Sequence, residues 1–95
     1  MAAYVVVNIQ ITDAERYPEF HDRIAETIAR YGGKYLVSGG KVDVLEGDWE
    51  PQRLVILEFE SVERCYEWYN SLEYPLLSQQ HHEVAYTQFV IVAGL

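Results

Sequence analysis

Residues 53–62 read Arg53-Leu54-Val55-Ile56-Leu57-Glu58-Phe59-Glu60-Ser61-Val62. The run through Phe59 is the most apolar in the chain, and its β-branched and aromatic residues suit a pleated strand. An apolar stripe of helical spacing follows at Val62, Cys65, Trp68, Tyr69 and Leu72. Ser61 stands at the junction, where a hydroxyl can accept a bond from an orphan backbone N–H of the new helix. A strand over Arg53–Glu60 feeding a helix is therefore expected.

Working outward, residues 3–10 form a second β-branched run, Ala-Tyr-Val-Val-Val-Asn-Ile-Gln. Pro18 is tolerated only in a first helical turn, so the next helix starts near Tyr17. Tyr17, Phe20, Ile24, Ile28 and Tyr31 make its apolar stripe, and Gly32-Gly33 stop it. Lys34–Ser38 and Lys41–Glu46 are both strand-like, and Gly39-Gly40 between them reads as a bend in one strand. Tyr74-Pro75 begin a short helix to about His81, and Tyr86–Ala93 is the last strand. This order predicts an α+β, ferredoxin-like domain over residues 1–95. It has a four-stranded, mostly antiparallel sheet and two main helices on one face.

With the helices on one face, the other should be plainly polar. Instead Tyr4, Val6, Leu54, Ile56, Tyr86, Val90 and Val92 share that parity with Asn8, Glu58 and Gln88. A second copy of the sheet is the simplest cover, so a face-to-face homodimer is expected. A monomer with a few exposed aliphatics is the alternative.

Charge excludes several function classes. Seven Lys and Arg against fifteen Asp and Glu leave a net charge of −8, poorly suited to nucleic acid or anionic membrane surfaces. The single cysteine, Cys65, excludes an internal disulfide and a cysteine metal cage. No targeting segment is visible, and a cytoplasmic location is expected.

No strong catalytic motif is present. Cys65 lies on a buried stripe and reads as structural. His81-His82-Glu83 are adjacent, and neighbours on a helix diverge by about 100°, so no metal site is expected. His21, at a helix edge, is a candidate general base at a cleft mouth or a half-buried packing residue. Glu58 is a candidate proton acceptor; otherwise it pairs with Arg53 or Lys41, or bonds across a dimer interface. Trp68, Tyr69 and Tyr74 suit a cleft for a flat or apolar ligand, and equally a small core. Trp49, in a Gly-Asp-Trp-Glu-Pro turn, should be half-exposed.

These blocks carry a family resemblance. Tyr31-Gly32-Gly33-Lys34-Tyr35-Leu36-Val37, Gly39-Gly40, Leu45-Glu46-Gly47-Asp48-Trp49 and Leu54–Phe59 resemble the domain-of-unknown-function family DUF1330. Trp68-Tyr69, Ser71, Glu73-Tyr74 and Gly94 extend the match across nearly the whole chain. The resemblance implies a subunit of the dimeric α/β-barrel superfamily. In its monooxygenase-like members a cleft lies between helices and sheet, where Trp68, Tyr69 and Tyr74 would fall. The chain departs from the family pattern at Ser38, where an Arg is usual, and in lacking basic residues after Tyr74.

Two functions remain open. One is binding of a small apolar or aromatic metabolite, or action on it without a cofactor, with Glu58 or His21 handling protons. The other is a non-catalytic dimeric assembly module.

Overall fold

Strand alternation sets the sheet. In a computed structural model of the 95-residue chain, β1 spans Ala3–Ile11 and β3 spans Leu54–Phe59. Val5, Val7, Ile9, Val55, Leu57 and Phe59 point to one face and are buried; the residues between them are more exposed. With β2 (Lys34–Gly40) and β4 (Ala85–Ala93) they form one sheet of order β2-β3-β1-β4, every neighbouring pair antiparallel. This is the ferredoxin-like α+β arrangement expected, with three helices in all.

Helix α1 (Tyr17–Arg30) begins where Arg16 and Tyr17 donate to Asp13, and Pro18 sits in its first turn. It stops at Gly32, whose φ of 77° suits glycine. Gly33 follows where any side chain would collide, because an added Cβ would lie 2.6 Å from Ile28 Cγ2 and 2.8 Å from Phe59 Cε1. Helix α2 (Val62–Tyr69) is capped as expected, the Arg64 N–H donating to Ser61 Oγ at 3.0 Å. Helix α3 covers Glu73–His81. No helix is long and apolar enough to cross a membrane.

The helices cover the buried sheet face. Tyr17, Phe20 and Ile28 of α1, Cys65 and Trp68 of α2 and Tyr74 of α3 join the sheet residues in one core cluster. Leu72, expected on the α2 stripe, is 91% exposed, because α2 ends at Tyr69 and Leu72 lies in the link to α3.

The bent strand expected over Lys34–Ser38 and Lys41–Glu46 is only half formed. β2 ends at Gly40, opposite Leu54, the first residue of β3. Beyond it the chain has no strand to pair with, and Leu45 is 96% exposed. Within β2 the register against β3 slips twice, between Tyr35 and Val37 and between Ser38 and Gly40. β4, by contrast, pairs with β1 in unbroken register from Ala85 to Ala93.

The face away from the helices is open. It carries Tyr4, Val6, Leu54 and Ile56, with Tyr86, Val90 and Val92 exposed by 61%, 60% and 53%.

Candidate functional site

Between helices and sheet the packing leaves an apolar cavity of about 40 Å³. Tyr17, His21, Ile24 and Ile28 come from α1, Trp68 from α2, and Tyr74 and His81 from α3. Val7, Ile9, Tyr35, Val55, Leu57, Thr87 and Phe89 form its sheet side. The volume suits roughly two or three waters. It is small beside the ~300–1,000 Å³ of a typical ligand site, so a ring enters only as rim side chains move.

A second, shallow depression of about 360 Å³ adjoins it. Tyr17 and His21 belong to both walls, and Ser38, Asp22, Pro18 and Arg53 line the outer one. A ligand spanning the two therefore passes these two side chains.

The cavity wall is aromatic with polar tips. Trp68 and Tyr74 have ring centroids 4.2 Å apart, and Tyr17 lies 5.4 Å from His81 and 5.9 Å from His21. His21 is 6.0 Å from Tyr35. The indole N–H of Trp68 is already used, donating to Thr27 Oγ1 at 3.0 Å, so Trp68 supplies surface and not recognition.

Electrostatics separates the polar tips into roles. Burial pushes the Tyr35 phenol up to about 12, with a smaller contribution from nearby Tyr17. Burial does the same to Tyr74, also to about 12; Ser78 counters it, and Tyr69 and Tyr35 add to it. Both phenols therefore stay protonated donors at neutral pH. Burial raises Tyr17 as well, and the Arg53 guanidinium pulls it part of the way back. His81 is held below its ordinary value by burial, then by His82 and His21, so it stays neutral.

His21 is the one imidazole with a free buried nitrogen. Its Nδ1 lies 3.5 Å from Asp22 Oδ1. Its Nε2 is buried and has no hydrogen-bond partner, so a polar group of an incoming ligand can bond to it.

The structure brings together three of the five residues singled out in the sequence: His21, Trp68 and Tyr74. Tyr69 sits outside the cavity, 43% exposed, with its ring 5.5 Å from Tyr74. Glu58 lies on the open face, in register with Tyr4 and Lys34, remote from the cavity wall formed by Val55 and Leu57. Neither ion pair expected for it forms: Lys41 lies 3.9 Å from Asp43, and Arg53 sits beside Tyr17.

Tyr17, Tyr35, His81 and Arg53 were not recognised as site residues from the sequence. His81 and His82 diverge as helix geometry requires, His81 at 7% exposure against Tyr17 and His82 in solvent. The i, i+7 spacing of Tyr74 and His81, both buried on α3, is the sequence signal that marks His81.

A family model described as "Domain of unknown function (DUF1330)" matches residues 2–95. No functionally curated protein matches the chain. Among solved structures, the chain is similar to the RPA0582 protein of unknown function from Rhodopseudomonas palustris. They share 18% identity at a TM-score of 0.76, over 99% of this chain and 82% of that one. It is also similar to SnoaB, a cofactor-independent oxygenase from Streptomyces nogalater, with 7% identity and a TM-score of 0.67 over 99% and 93%. The de novo designed protein Foldit4 reaches a TM-score of 0.66 at 11% identity, over 100% of both chains. A designed chain matching as well as an oxygenase makes these likenesses statements about fold alone.

Proposed function

This chain belongs to the DUF1330 family, and we propose that it binds, or acts without a cofactor on, a small flat aromatic or apolar metabolite in the helix–sheet cavity. One observation carries the reading: an aromatic cavity holds a buried imidazole nitrogen, His21 Nε2, with no partner. A buried polar atom left unbonded costs about 1–3 kcal/mol, which a ligand donor would recover. Tyr35 and Tyr74 offer O–H donors, and Trp68 offers a flat wall. In any turnover His21 accepts the substrate proton. Glu58, in register with Tyr4 on the far face, lies outside this cavity.

A thermal-shift screen with small aromatic metabolites tests this. A ligand that binds only the folded protein raises Tm. Hits should lose their effect in Ile24→Phe, which fills the cavity, and weaken in His21→Ala. Hits can then be assayed for dioxygen uptake with no flavin or metal added, the activity named for SnoaB. A panel with no hits, or hits indifferent to Ile24→Phe, would defeat the proposal.

The open sheet face supports a homodimer as part of the same reading. Val90 and Val92 expose aliphatic surface beside Tyr4, Val6 and Ile56. Sheet-to-sheet packing of two copies covers it and adds a second apolar layer to a thin core. Analytical ultracentrifugation should give a dimer for the native chain and a monomer for Val90→Glu. A non-catalytic assembly module draws on the same face; it predicts the dimer but an empty ligand screen.

A further inference from the structure

The outer depression holds a charge the inner cavity does not explain. Four of the five arginines have a carboxylate in ion-pair reach: Arg16 with Asp13 and Glu83, Arg23 with Glu19, Arg30 with Glu26 and Glu73, and Arg64 with Glu67. Arg53 has none, in a chain where acids outnumber bases by fifteen to seven. Its Nε is buried and makes no hydrogen bond.

The fold holds this arginine in place. Its guanidinium carbon lies 5.9 Å from the Tyr17 ring centroid, a cation–π placement. The backbone of Gly39 also comes so close that an added Cβ would lie 2.5 Å from Arg53 Nε. Gly39 also has a φ of 76°, which a larger residue adopts only with strain. Arg53 is thus packed against both a ring and a glycine, in the depression that Tyr17 and His21 join to the cavity.

We propose that Arg53 receives an anionic group of the ligand, so that the site takes a small aromatic carboxylate with its carboxylate in the outer depression and its ring in the inner cavity. This rests on the aromatic-metabolite reading above and narrows it to a charge type. A planar guanidinium with no carboxylate partner fits a ligand carboxylate well, and such charge-assisted bonds are about twice as strong as neutral ones. Ser38, on the depression wall, adds a hydroxyl donor.

Benzoate and its neutral isostere benzamide test the proposal, titrated into ¹⁵N-labelled protein with the Trp68 indole and His21 resonances as site reporters. Benzoate should bind about tenfold or more tightly than benzamide. Arg53→Gln should remove that preference, weakening benzoate about tenfold more than benzamide. Ser38→Asp, which sets a built-in carboxylate beside Arg53, should weaken benzoate alone; it also serves if Arg53→Gln does not fold. Equal binding of both probes overturns the Arg53 assignment while the cavity reading survives. A benzoate preference retained in both variants overturns it in the same way. If neither probe moves the reporters, the cavity reading fails and the assignment fails with it.

Discussion

The indole N–H of Trp68 donates to Thr27 Oγ1 at 3.0 Å, and the same hydroxyl donates onward to the Ile24 carbonyl at 2.7 Å. Both residues are buried, at 1% and 2% exposure, so α1 and α2 are joined by a polar chain inside an apolar core. Thr27→Val keeps the shape but leaves the indole N–H unsatisfied. It should lower stability by about 1–3 kcal/mol in denaturant unfolding. A variant as stable as the native chain would show that this bond contributes nothing net.

Gly33→Ala should destabilise through overpacking. Its new methyl meets Ile28 and Phe59 at under 3 Å, and Phe59 is fully buried. The expected cost is about 1–3 kcal/mol. Gly40→Ala, with open space around it, is the matched control, and the two variants should differ clearly in Tm.

His81 should make stability pH-dependent. Burial, then His82 and His21, hold its imidazole below the ordinary 6.5. Below that value the unfolded chain takes up a proton that the folded chain refuses. Stability from this group is complete above about pH 6.5 and falls as pH drops, by at most ~1.4 kcal/mol per unit. Tm measured from pH 8 to 5.5 should decline for the native chain and less steeply for His81→Asn. Parallel declines would assign the effect elsewhere.

The Cys65 thiol should be inert. It is fully buried on α2, and burial pushes its pKa up, so little thiolate forms and little reagent reaches it. Labelling with a disulfide reagent at pH 8 should be slow in the native protein and fast in denaturant. Rapid native labelling would mean that α2 opens readily.

The fold was readable because its signals are local. The strands at 3–10 and 53–60, the Ser61 cap and the Gly32 stop each depend on neighbours within a few residues. Lys41–Glu46 misled because a strand needs a partner, and β3 begins too late to supply one. The site was less legible, being assembled across the chain. Tyr35 and Arg53 meet Tyr17 and His21 only after β2 pairs with β3 under α1. Parity places Glu58 with Asn8 and Gln88 on the face away from the helices; which face carries the cleft is what pattern alone does not give.

The two edges of the sheet are unlike. β2 slips register twice and then leaves the sheet, whereas β4 offers a regular nine-residue border. Strand-by-strand growth into a fibre needs two compatible borders on every molecule, and this chain has one. Two copies joined border to border through β4 would consume the regular edge of each and leave only spoiled ones outside, so recruitment by that route closes at a pair.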